Sequence, residues 1–214
     1  MERKFDVQIK VFESQFKPYT KSLDEIKNYL DQMLLLEESF AEEIVGLNAI
    51  RMVQEHYSFA AFIAVAILDS AVVCKNLLLA EFTWERVYQL RAATLLVYET
   101  INTYDEHTES LYRLSLKYPE LQDDYKNLAA ELKQFKKDFK YSTSMKDRRN
   151  ITAGHIDKDF RNYYNTVITS TMDNGVEAVQ RFMTFLEKVQ HFMMKIDIVK
   201  KLEFTNVTDN LSVN

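Results

Sequence analysis

Turn-forming residues are scarce in this chain of 214, which has three glycines (Gly46, Gly154, Gly175) and two prolines (Pro18, Pro119). A β-sandwich or doubly wound α/β fold of this length needs many tight turns, and the signals for them are missing. Cysteine occurs once, at Cys74. That excludes an internal disulfide, and its apolar neighbourhood makes it a packing residue. Neither a glycine-rich phosphate loop nor a Gly-x-Ser-x-Gly elbow occurs. The formal net charge of −5 argues against a protein that coats nucleic acid over its whole surface, while leaving room for a local basic site. The longest apolar run, Phe59 to Leu68, is too short to span a bilayer and stops at Asp69-Ser70, so a buried central helix is expected instead. The opening Met1-Glu2-Arg3-Lys4-Phe5-Asp6 lacks the apolar core of a signal peptide. A cytoplasmic protein without membrane association is therefore expected.

What is abundant is helix-forming: long stretches of Leu, Ala, Glu, Lys, Gln and Met. The expected fold is all-α, a bundle of long antiparallel helices, with residues 1–204 as a single helical domain and 205–214 as a disordered polar tail. Phe5, Val7, Ile9 and Val11 alternate as in a strand, but no partner strand is evident, so residues 5–16 read as helix. Pro18 is expected to break the chain. Ser22-Leu23-Asp24-Glu25 then reads as a capping box opening a helix to about Leu47. The most apolar helix spans roughly 49–80 and carries Met52, Phe59, Ile63, Ile67 and Val73. Thr83 with Glu85 looks like the cap of a helix to about Tyr104, with Trp84 as a packing anchor near its start. A shorter helix over 106–117 ends near Pro119. Another over 120–139 places Leu121, Tyr125, Leu128, Leu132 and Phe135 on one face. Tyr141 to Ser144 reads as a loop, followed by helical segments over 145–156 and 157–171. The clearest period is the last: Val176, Val179, Phe182, Leu186, Val189, Met193 and Ile196 recur at three- and four-residue steps.

A helical bundle rich in carboxylates raises the question of a di-metal site, which needs Glu-x-x-His pairs projecting inward. The residues three before His56, His107, His155 and His191 are Val53, Tyr104, Thr152 and Lys188. A di-metal centre is therefore not expected, and Glu37, Glu38, Glu42 and Glu43 read as a solvated face. His56, His107 and His191 are isolated and carry no expected role.

The chemistry-bearing segment is Arg149-Asn150-Ile151-Thr152-Ala153-Gly154-His155. Cleavage of RNA by its own 2′-hydroxyl needs a cation on the scissile phosphate, and the planar fork of arginine supplies one. It also needs a group titrating near neutrality, which histidine provides. Asn150 is placed to orient either partner, and the scheme calls for no metal. Six residues of ideal helix turn through about 600°, so Arg149 and His155 would not share one helical face. A loop there, or a two-fold dimer with both motifs in one cleft, would bring them together.

Arg149-Asn150, four residues, then His155 resembles the arginine–polar–x4–histidine signature of the HEPN (higher eukaryote and prokaryote nucleotide-binding) domains. The string from Arg148 to Asp157 is similar to the corresponding segment of abortive-infection-type members. Gly154 stands where these often have alanine, and Asp157 stands where some toxins of the family carry tyrosine. The resemblance implies a helical bundle, usually a homodimer, and often a metal-independent endoribonuclease in toxin–antitoxin or anti-phage systems. An antitoxin protein would then be a partner alongside RNA. Arg149, Asn150 and His155 would be catalytic.

Beside the motif lies a basic strip. Lys133, Lys136, Lys137, Lys140, Lys146, Arg148 and Arg149 face only Asp138 and Asp147, a local charge of +5. Phosphate binding favours such a strip, and Arg148, Lys146, Lys140 and Lys137 are the expected RNA contacts. Tyr141, Tyr163 and Tyr164 are candidate base-stacking residues, with core or interface packing as the plainer alternative for Tyr163 and Tyr164. The plainer alternative for the lysines is a solvated helix face, because Lys133, Lys137 and Lys140 follow i, i+4, i+7 spacing. For Arg149 and His155 it is a structural arginine and a hydrogen-bonded histidine. The second functional expectation is a non-catalytic bundle that binds a protein partner or a nucleotide, with the periodic face from Val176 to Ile196 available for docking.

Overall fold

The structure, a computed structural model, describes residues 6–39, 44–150, 164 and 172–211. Among the described residues every regular element is helical: α1 (Asp6–Ser39), α2 (Ile44–Leu79), α3 (Thr83–Lys117), α4 (Gln122–Asp138), the short α5 (Lys146–Arg148) and α6 (Met172–Leu211). The all-α bundle follows from the near absence of breakers, and each long helix is then held by what it buries.

α1 and α2 form an antiparallel hairpin. Lys75 Nζ on α2 reaches Glu13 on α1 at 2.6 Å, and Arg51 Nε reaches Glu37 at 3.0 Å at the other end. Residues 6–16 are helical, as expected. Pro18 does not break the chain but lies inside α1. A proline costs an interior helix one hydrogen bond and a clash with the preceding turn. Here that cost is offset because the stripe is buried on both sides of it, by Phe12 before and Ile26 after, with Phe16, Tyr19 and Leu30 packed on the same core. For the same reason Ser22 to Glu25 opens no new helix. Glu25 instead pairs with Lys21 one turn back, at 3.5 Å. Among the described residues α1 reaches Ser39, and Leu47, its expected end, belongs to α2.

On α2, Phe59, Ile63, Ala64, Ile67, Ala71, Cys74 and Leu77 are all buried. Burial pushes the Cys74 thiol up to about 12, so it stays protonated and packs as an apolar group. The apolar stretch is longer than Phe59–Leu68: Ile50–Leu79 is long and apolar enough, by length and composition, to cross a membrane, and 56% of its most apolar window is buried within the bundle. Met52 falls off this buried stripe and is 67% exposed.

The α2–α3 corner is closed by two side chains. Glu85 Oε2 accepts from the backbone N–H groups of Glu81 (3.0 Å) and Phe82 (3.1 Å), and Arg86 Nε donates to the Ala80 carbonyl at 3.1 Å. Phe82 thus holds the cap position, and Thr83 is already helical. Trp84 is no packing anchor, being 53% exposed on the outer face. The two helices expected over 83–104 and 106–117 are one. No breaker separates them, and the buried stripe of Val97, Thr100, Ile101, Tyr104 and Leu111 runs straight through. Tyr118 is extended (φ −118°, ψ 97°), and Pro119 then starts a tight 3-10 turn that leads into α4.

α6 runs through the centre. Val179, Phe182, Phe185, Leu186, Val189, Phe192, Met193 and Ile196 are buried against α2, α3 and α4. The periodic face from Val176 to Ile196 is therefore core and is not available for docking. Three ion pairs set the antiparallel register of α4 on α6: Arg181–Asp138 (2.7 Å), Lys188–Glu131 (2.7 Å) and Lys195–Asp124 (2.6 Å). Each adds little stability at the surface, but together they disfavour slipped alignments. α6 continues to Leu211, past Thr205 where a polar tail was expected. Phe204, Val207 and Leu211 prolong the helical spacing there.

Candidate functional site

The basic strip and the start of the motif meet where α4 ends and α5 begins, against the middle of α3. α4 terminates at Asp138, and two residues later Lys140, with φ of 49° and ψ of 49°, lies in the left-handed region. Its carbonyl then accepts from the N–H groups of Thr143 and Met145, both at 3.2 Å. Tyr141–Met145 is thus a short π-helical turn where an irregular loop was expected. A lysine in this conformation costs about 1–2 kcal/mol that glycine would not. Lys140→Gly is accordingly expected to raise unfolding stability by about 1 kcal/mol, readable by urea denaturation. The same variant should weaken RNA binding if Lys140 contacts phosphate. A stabilised protein with unchanged RNA affinity would remove Lys140 from the interface.

Tyr141 anchors the turn. It is buried, its ring stacks on Tyr98 of α3 (centroids 5.0 Å apart, planes 17° apart), and its hydroxyl donates to Asn102 Oδ1 at 2.6 Å. Burial holds its phenol above the ordinary tyrosine range. Lys136 covers the ring, with Nζ 5.3 Å from its centre, while pairing with Asp105 at 2.6 Å. Tyr141 is consequently a structural pin and has no open face for a base, which corrects its role as a stacking residue. Tyr164 is exposed, while Tyr163 lies outside the described residues.

Arg149 sits beside this pin. Its Nε and Nη2 both donate to Glu99 Oε1, at 2.9 and 2.7 Å, and its guanidinium lies 5.6 Å from the centre of the Tyr98 ring. Nη1 donates to Asn150 Oδ1 at 3.2 Å. The arginine and its polar neighbour are thus in contact, and Glu99 neutralises part of the charge that a phosphate would use. The Arg149 and Glu99 side chains remain 41% and 46% exposed, so the pair is open to an incoming anion. Arg148 belongs to α5. Its side chain, and all of His155, lie outside the described residues.

The strip is less positive than the sequence implied. Lys136 is taken by Asp105 and Arg149 by Glu99, both acids supplied by α3. Lys133, Lys137, Lys140 and Lys146 are exposed and form no ion pair among the described residues. Asp138, one of the two acids within the strip, is turned towards Arg181, whose hydrogen bond holds its carboxyl below the usual range. The expected contacts Lys137, Lys140 and Lys146 are thus exposed and without an ion pair among the described residues.

Glu99, Tyr98 and Asn102 are the site members that sequence reasoning missed. They lie about 50 residues from the motif, and no spacing pattern links them to it. The remaining histidines are in different settings. His107 stacks on Phe59 with centroids 4.2 Å apart. His56 Nε2 lies 2.9 Å from Asp197 Oδ1 but makes no well-directed hydrogen bond, so the contact is one of proximity. His191 is exposed. Among the described residues no group of three His, Cys, Asp or Glu side chains is arranged to hold a metal ion. Compared with known proteins, the chain matches no described family, no curated protein and no solved structure.

Proposed function

We propose that the chain is a HEPN-like, metal-independent endoribonuclease that works as a homodimer. The observation that carries this reading is Arg149 and Asn150 in mutual contact at 3.2 Å, at the start of the Arg-Asn-x4-His motif and close in sequence to the exposed Lys137, Lys140 and Lys146. In the reaction a 2′-hydroxyl attacks the adjacent phosphorus and the 5′-oxygen leaves. His155 moves the proton, Arg149 stabilises the charge on the non-bridging oxygens, and Asn150 orients the phosphate or the guanidinium. The products carry a 2′,3′-cyclic phosphate and a 5′-hydroxyl. Lys137, Lys140, Lys146 and Arg148 hold the neighbouring phosphates. A toxin–antitoxin or anti-phage setting, with an antitoxin that restrains the activity, is the biological context this chemistry fits.

The test is incubation of the purified protein with single-stranded RNA in the presence of EDTA, followed by analysis of the product ends. Cleavage leaving cyclic phosphate ends supports the reading. Intact RNA, or cleavage that EDTA abolishes, removes it. The Arg149–Glu99 pair favours a second reading, in which the arginine pins α5 to α3 in a non-catalytic bundle that binds a protein partner or a nucleotide.

A further inference from the structure

A cleft of about 310 Å³ opens between α3 and α4, and no residue of the motif lines it. Its wall is apolar, formed by Tyr104, Tyr125, Ala129 and Leu132, while Lys133, Lys136, Asp105 and Thr108 stand among its polar groups. The volume is at the small end of the range for ligand pockets. Lys136 is fixed, its ammonium 2.8 and 2.6 Å from the two Asp105 oxygens. Lys133, one turn earlier on the same helix, has no carboxylate partner among the described residues. The cleft therefore combines a cation without a carboxylate partner among the described residues, a second cation held by an acid that can also accept hydrogen bonds, and an apolar wall. Lysine binds phosphate as a compact point charge. A carboxylate beside it accepts from hydroxyl groups, and aromatic and aliphatic side chains cover a planar ring.

The geometry points to a binding site for a nucleoside monophosphate in the α3–α4 cleft, with the phosphate at Lys133 and Lys136, ribose hydroxyls at Asp105 and the base against Tyr125, Ala129 and Leu132. This deepens the nucleotide-binding reading above and stands whether or not the chain cleaves RNA. The phosphate and ribose hydroxyls of such a ligand meet complementary groups and the face of its base meets the apolar wall, whereas an inorganic anion would leave that wall uncovered and a nucleoside would bring no anion to Lys133.

Isothermal titration of the full chain with adenosine monophosphate, adenosine and inorganic phosphate tests the assignment. Adenosine monophosphate is expected to bind at least about tenfold tighter than either fragment, because the charge-assisted contacts and the apolar contacts act together. Lys133→Ala removes an exposed charge without touching the core and is expected to weaken binding about tenfold. Ala129→Trp fills the cleft from an exposed position and is expected to abolish binding, with the circular dichroism spectrum and melting temperature confirming that the bundle persists. No binding to the wild-type chain, equal binding of either fragment, or binding unchanged in both variants overturns the proposal. RNA cleavage assayed on the same samples keeps the two readings apart: binding without cleavage removes the ribonuclease alone, and cleavage without binding removes this site alone.

Discussion

Arg149→Ala and His155→Ala are each expected to lower RNA cleavage by about 10²–10⁴-fold, the range for removing an anion-stabilising donor or a general acid–base group. Stability should hardly move in the arginine variant. Its pair with Glu99 is 41% and 46% exposed, and ion pairs of that kind contribute about 0–1 kcal/mol. Loss of activity with retention of fold is thus the signature of a catalytic arginine, and loss of stability with unchanged cleavage is that of a structural pin. Arg149→Lys is not a conservative control. Lysine has no planar fork, so it keeps the charge but cannot hold Glu99 through two N–H groups and reach Asn150 with a third, as arginine does. Glu99→Gln separates the readings further. An incoming phosphate must share the guanidinium with Glu99, so neutralising this acid should tighten RNA binding if Arg149 faces the substrate. If the arginine only fastens α5, RNA affinity stays where it was.

Helical class was legible because it depends on composition and period, which act along the whole chain. Boundaries were less legible because they depend on what each turn buries. Pro18 is locally a breaker, yet α1 continues because Phe12 and Ile26 lie on one buried stripe. The joint expected after Tyr104 does not exist, because that tyrosine is itself buried and carries the α3 stripe onward to Leu111. Trp84 and Met52 show the converse: apolar type alone does not place a residue inside when its register faces outward.

At the site, the sequence offers Arg149 and Asn150 as neighbours and the lysines as a cluster. It cannot offer Glu99 and Asp105, because they meet these cations only when α3 lies alongside α4 and α5. A local charge count therefore overstated the free charge. Tyr141 was misread for a related reason. An aromatic residue in a polar stretch invites a binding role, but its hydroxyl found Asn102 and its ring found Tyr98 across the bundle.

The stability of the site should be most sensitive to a residue that never touches it. Phe182 on α6 is fully buried, and its ring lies 5.5 Å from Phe135 on α4 and 6.1 Å from Phe185. Phe182→Ala is expected to cost about 3–5 kcal/mol, through lost transfer energy and a cavity at the α4–α6 seam. That is a large part of the roughly 5–15 kcal/mol typical of a whole domain. The matched control is Phe82→Ala, the same chemical change at a position 67% exposed. It should stay within about 0.5 kcal/mol. Chemical denaturation of the two variants measures the contrast directly, and equal losses would mean that α6 is not the central helix. The damage should also spread in a definite direction. Immediately before Phe182, Arg181 ties α6 to Asp138 at 2.7 Å and covers the Phe139 ring at 5.0 Å. Phe139 immediately precedes Lys140, where the left-handed residue and the Tyr141 turn begin. Loosening this seam should therefore free the end of α4 first, so amide exchange in Phe182→Ala is expected to rise earliest over residues 136–145. Protection lost evenly along α4 would show instead that the seam and the turn are not coupled.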